Sequence, residues 1–274
     1  MTQHAATVAR PRRQPVDQAH GLRQLFAGSR QRFVPLVHNP HVGFGGVVME
    51  RLCTAFAGAG LRTLVVDAAD TASAPHELAA VDLAACIERL SPSVGYLAAR
   101  GLPMRYLDHR ASTAGFLQAL SVAAPQADIV LVHAGASDLR RLFSGRAPRP
   151  VLMAGLRPDS LTEAYAAMKL LGQRLGPLTY DTVVVGDMSA RRARQTAERL
   201  AQCADHFLGA AIGCWAVVDP TAPARAAVSD DLHFLAQAQL PQERPSGADL
   251  GDAGASHAYL HAAAMPASQP GRLN

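Results

Sequence analysis

The chain has 274 residues, of which 49% are apolar, 18% charged and 5% aromatic. That length and apolar content are enough for one large, well-buried core and exclude a chain disordered along its middle. The net charge of +4 comes almost wholly from scattered arginines without aromatic interleaving, so it reads as a solvated surface and not as a nucleic-acid interface.

Cys53, Cys86, Cys203 and Cys214 show neither metal-ligand spacing nor the density of a disulfide scaffold, and read as small buried hydrophobes in a reducing compartment. Arg12 and Arg13 are not followed by an apolar export segment, and no run of 18 apolar residues occurs. A cytoplasmic protein is the expectation.

In chain order, residues 1–16 read as a disordered basic arm and Asp17 as the cap of a short helix, 17–27, with Ala19, Leu22 and Phe26 on one face. Such a helix is too short to be stable alone and needs a surface to dock on. An α/β domain over residues 31–240 follows, expected as a mostly parallel twisted sheet with helices on both faces. It opens with the apolar run Phe33-Val34-Pro35-Leu36-Val37, a glycine-bearing turn, about four turns of amphipathic helix and a second apolar run, Leu64-Val65-Val66, ending in Asp67. This is a βαβ unit with a ligand site at its carboxyl edge.

Further on, the pattern predicts a short helix at Leu83–Leu90, a strand at Val94–Ala98, a helix at Ser112–Ala123 and a strand from Asp128 to Val132. A strand at Val151–Ala154 leads to a helix for which Ser160 and Glu163 have capping-box spacing. Strands at Thr182–Val185 and Ala210–Val218 flank a helix at Ala190–Cys203, and Asp231–Leu240 has helical pattern. Residues 241–274, rich in Ala, Gly, Pro and Ser, read as a flexible tail.

The turn has the shape of a phosphate-binding loop without its chemistry. Such a loop needs glycines for close approach, free N–H groups, a lysine for the β and γ phosphates, and a Ser or Thr for magnesium. Here Asn39-Pro40-His41-Val42-Gly43-Phe44-Gly45-Gly46 keeps glycines, but Pro40 offers no N–H and the only lysine of the chain is Lys169.

Two stretches resemble a known family. Asp17-Gln18-Ala19-His20-Gly21-Leu22-Arg23 matches the DQAxxLR motif that opens the flagellar-number regulators FlhG/FleN of the MinD/ParA group of deviant-Walker ATPases. Pro158-Asp159-Ser160-Leu161-Thr162-Glu163-Ala164-Tyr165 is similar to the family's PxSxxDAY segment. Similarity extends over about residues 17–228.

The resemblance implies a regulator of flagellar number or placement. Its partner would be an FlhF-type GTPase, engaged through Asp17, Gln18, Ala19, Leu22 and Arg23, with Gln18 near the partner's nucleotide and Leu22 and Arg23 as anchors. Basal-body or transcriptional-activator proteins are further expected partners.

Laid on the family without gaps, the two phosphate-binding lysines fall at Gly45 and Pro40 and the magnesium-binding Thr at Gly46. The family's strand-end aspartate is His133, a poor ligand for a hard ion. Asp67 is kept, the second acid of its motif is Ala69, and the adenine-reading asparagine falls at Gly186 with Asp187 beside it. Each lost charged hydrogen bond to phosphate costs about 1.5 to 3 kcal/mol. The expectation is a pseudo-ATPase with no cofactor, ATP and Mg2+ entering only if the nucleotide site still functions, and a monomer or a nucleotide-independent dimer.

Two alternatives stay open within this reading. One is an active divergent ATPase in which an arginine such as Arg51 replaces lysine; the other is a MinD-like regulator of a different assembly or transcription system. The tail lacks the basic amphipathic helix by which MinD-group proteins dock on membranes, so membrane association is not expected. No catalytic residue is assigned, since no GxSxG elbow occurs and Asp108-His109 has no placed serine. His38, His41 and His133, with Asp67 or Asp70, could ligate a transition metal, but without a paired-histidine helix or a cysteine they read instead as polar filling of a vacated pocket.

Overall fold

A computed structural model describes residues 31–176, 179–186 and 190–240. The arm and the 17–27 helix, Asp187 and the tail from residue 241 lie outside the described residues.

The described chain folds as an eight-stranded sheet in the order β3-β4-β2-β5-β1-β6-β7-β8. The strands are β1 (Arg32–Val37), β2 (Thr63–Asp67), β3 (Glu88–Arg89), β4 (Val94–Ala98), β5 (Ile129–Ala134), β6 (Val151–Gly155), β7 (Thr179–Val185) and β8 (Ala211–Val218). All neighbours are parallel except β3, which runs antiparallel to β4 at the edge. The helices are α1 (Gly45–Gly58), α2 (Gly115–Ala123), α3 (Ala136–Leu142), α4 (Pro158–Leu175), α5 (Ala190–Leu208) and α6 (Asp230–Ala238).

Side chains alternate across the sheet, and both faces are covered, which is why the central strands read as unbroken apolar runs. On one face Leu64, Val66, Val130, Val132 and Leu152 pack with Phe116, Leu120, Leu139, Met168 and Leu171 of α2, α3 and α4. On the other, Val34, Leu36, Val65, Leu131 and Met153 pack with Val48, Leu52 and Phe56 of α1 and Leu235 of α6. Helix α5 lays Ala193 and Ala197 on Val184, the face opposite α1.

Pro35 sits in a central strand, where the missing N–H is ordinarily excluded. It is tolerated because β1 pairs with β6 only from Leu36 onward.

Three sequence expectations change. The segment Leu83–Leu90 is not a helix: a 3-10 turn at Ala84–Cys86 leads into β3, because the edge of the sheet takes Glu88 and Arg89 as partners for Tyr96 and Gly95. The helix expected from Ser112 starts at Gly115, since Ser112 N–H and Arg110 N–H are bound by the Asp108 carboxylate in a loop. Ser160 does not cap α4. The N-cap is Arg157 without a side-chain bond, and Pro158 occupies the first turn, where its missing N–H costs nothing. Helix α3, too short for a periodic signal, was not legible in the sequence.

One buried polar cluster lies at the amino edge. At β7–β8 the register shifts between Tyr180 and Thr182, so that Gly213 and Cys214 oppose Asp181. The Asp181 carboxylate accepts from Arg149 Nε at 2.8 Å and Nη2 at 2.7 Å, from Cys214 N–H at 2.8 Å and from Gln239 Nε2 at 2.6 Å. Gly213 leaves room for the Arg149 guanidinium, which a Cβ there would displace.

Candidate functional site

Helix α1, after β1, covers one face of the sheet and α4, after β6, covers the other. The carboxyl ends of β1 and β6 therefore form a topological switch point, the place where open α/β sheets bind ligands.

Asn39, the second residue after β1, spans this point. Its buried side-chain amide donates to Met153 O and Ser160 O, each at 2.9 Å, and to Ser160 Oγ at 3.1 Å, while its oxygen accepts from His41 N–H at 3.1 Å. Ser160 Oγ in turn accepts from Gly155 N–H at 2.7 Å. The serine of the PxSxxDAY-like segment thus ties α4 to β6 and to the loop instead of capping its own helix.

The loop Pro40–Phe44 ends with Phe44 in the left-handed region at φ 64°, its ring exposed. A non-glycine residue there costs on the order of 1 kcal/mol. Phe44 O accepts from Val47 and Val48 N–H, which starts α1. Gly43 and Gly46 have open space where a side chain would project.

On the other side of the loop, three strand ends meet in a chain of hydrogen bonds. Asp67, at the end of β2, is paired in register with His133 on β5. His133 Nδ1 lies 2.8 Å from Asp67 Oδ1, and His133 Nε2 lies 3.2 Å from His38 Nδ1. If Asp67 is ionised and both imidazoles are neutral, His133 donates from Nδ1 and accepts at Nε2, so His38 donates from Nδ1 and its Nε2 is left as an acceptor. Tyr96 OH and Ala69 N–H lie at 3.5 and 3.4 Å from the Asp67 oxygens.

Burial, and then the proximity of His133, lower the pKa of His38 below its ordinary 6.5, against the opposing pull of Asp67 and Asp70. The His133 ring also approaches the start of α1: a Cβ on Gly45 would sit 3.8 Å from its Cε1 and 3.9 Å from Met153 Cε.

The expected residues therefore separate. His38, His133 and Asp67 come together, Asn39, Gly45 and Gly46 surround them, and His41 stays exposed without a side-chain bond to the group. Among the described residues no cluster of His, Cys, Asp or Glu has the geometry to hold a metal ion. Asp67 meets an imidazole and an N–H where a magnesium site needs free carboxylate oxygens. Arg51 does not face the loop: its guanidinium donates to Ala226 O at 2.7 Å and Pro223 O at 2.6 Å, on the segment between β8 and α6. Among the described residues no Ser, Thr or Cys is bonded to either histidine.

Ser160, Tyr96 and Met153 are site residues that sequence reasoning missed. The only advance signal was the PxSxxDAY-like pattern, and local spacing favoured a cap.

The fold is that of the MinD/ParA ATPases. The MinD cell division protein of Aquifex aeolicus superposes with a TM-score of 0.53 at 13% identity, over 78% of this chain and all of its own, and in complex with MinC it gives 0.55 at 12%. A ParA family ATPase of Chlorobium tepidum gives 0.53 at 13%, over 76% of this chain and 98% of its own. Cobyrinic acid a,c-diamide synthase of Mycobacterium smegmatis gives 0.52 at 15%. No protein-family model and no curated relative matches the sequence. Identities this low establish the fold and nothing finer. Among the described residues no helix is long and apolar enough to cross a membrane.

Proposed function

We propose that this MinD/ParA-fold chain is a regulator of flagellar number or placement that works through protein contacts, with ATP binding and hydrolysis lost. The observation carrying the loss is the bonded chain Asp67–His133–His38 at the strand ends, beside a loop that presents Gly45, Gly46 and Pro40 where cationic and hydroxyl side chains would be needed. A nucleotide phosphate placed there meets imidazole and backbone and no lysine. Arg51, the candidate replacement, is engaged elsewhere. Losing two charged phosphate contacts weakens binding by roughly a hundredfold or more.

The flagellar assignment rests on the DQAxxLR match at Asp17–Arg23, outside the described residues. In this reading the 17–27 segment engages an FlhF-type GTPase.

Two measurements test the two halves. Titration calorimetry with Mg-ATP and Mg-ADP should give no heat at about millimolar nucleotide; micromolar affinity would overturn the loss of nucleotide binding. Addition of the chain to an FlhF-type GTPase should stimulate GTP hydrolysis and Leu22→Asp should abolish that effect, whereas equal stimulation by both proteins would overturn the partner assignment.

A further inference from the structure

At the amino ends of β2 and β4, one strand length of about 16 Å from the histidine chain, lies a cleft of about 390 Å³. Its wall is the β3–β4 hairpin and its far side the end of α2. Its lining combines apolar residues, among them Ile87, Val94 and Ala123, with polar ones, among them Arg62, Arg89, Ser93 and Gln126. Gly95 lets Ile87 and Leu64 pack closely over the strand: a Cβ there would sit 3.2 Å from Ile87 Cγ2 and 3.4 Å from Leu64 Cδ1.

A cleft of this size with a mixed polar and apolar lining can hold a small molecule. Its charge is cationic and incompletely spent. Arg62 Nε lies 3.6 Å from Asp128 in a partly exposed pair, and Arg89 donates from Nε to Ser91 O at 3.4 Å with no ion pair to another described residue. Each guanidinium keeps further N–H donors in a planar fork suited to a carboxylate.

We propose that this cleft binds a small organic carboxylate with a short apolar body, the body against Ile87 and the carboxylate between Arg62 and Arg89. The site is independent of the nucleotide question, because it shares no residue with the loop after β1.

The probe is octanoate, titrated into the full-length protein and followed by amide NMR, with acetate and octanol as controls. Octanoate should shift Ser93, Gly95 and Ala124 with a Kd of about a millimolar or tighter, acetate should shift them far less, and the double variant Arg62→Gln/Arg89→Gln should weaken octanoate at least about tenfold. Ala84→Phe, placed at the exposed rim, should block the cleft while thermal unfolding stays that of wild type. The proposal is overturned if octanoate leaves these amides unmoved, if octanol binds as tightly as octanoate, or if the arginine double variant binds like wild type.

Discussion

Asp181→Ala should be among the most destabilising single changes in this chain. The carboxylate is wholly buried, whereas the Arg149 side chain is 27% exposed. Removing one member of a buried, hydrogen-bonded pair costs about 3 to 5 kcal/mol. Arg149 regains some water, which argues for the lower end, while Cys214 N–H and the buried Gln239 amide lose their acceptor and push the other way. We therefore expect a loss of about 3 kcal/mol, equivalent to roughly 6 to 12 °C in Tm for a domain of this size. Urea unfolding followed by circular dichroism would measure it. The double variant with Arg149→Ala should lose less than the sum of the two single changes, since the guanidinium no longer needs a partner. A loss below about 1 kcal/mol for Asp181→Ala, or strict additivity, would refute the view that the network is a coupled unit.

Three other changes probe the carboxyl edge. Folded His38 binds a proton less readily than the unfolded chain, so below about pH 6.5 the unfolded state takes up more protons and stability falls with pH; His38→Gln should flatten that part of the Tm-versus-pH curve, and an unchanged slope would show that His38 does not contribute. Asn39→Ala removes the buried amide that bridges β6 and α4, with an expected cost of about 2 kcal/mol and faster amide exchange over residues 41–44; exchange as slow as wild type would count against the bridge. Phe44→Gly should be about 1 kcal/mol more stable than Phe44→Ala, because both remove the same exposed ring and only glycine is relaxed at φ 64°; equal urea midpoints would count against strain at this turn.

The course of the main chain was legible because both faces of a parallel sheet are buried. Runs such as residues 64–66, 129–132 and 151–154 are apolar throughout, and the helices between them carry their own period. What failed were segments decided by an edge or by a distant partner. Glu88 and Arg89 have no strand character of their own and become one only because β4 offers an unpaired edge. Ser160 had the spacing of a cap, but Gly155 N–H and Asn39, far away in sequence, claim its hydroxyl.

The sequence by itself determined the composition of the site: one lysine in the whole chain and none in the loop, glycines at 43, 45 and 46, a histidine at the end of β5 and an aspartate at the end of β2. Those are properties of residue identity and need no coordinates. Only the tertiary structure decided which of them meet. Parallel pairing of β2 with β5 sets Asp67 beside His133, and pairing of β5 with β1 brings His38 within reach of the same ring, while His41, three residues further along, is left in solvent. Register sets these distances, and register is fixed by burial of the two sheet faces along the whole strands, not by anything local to the histidines.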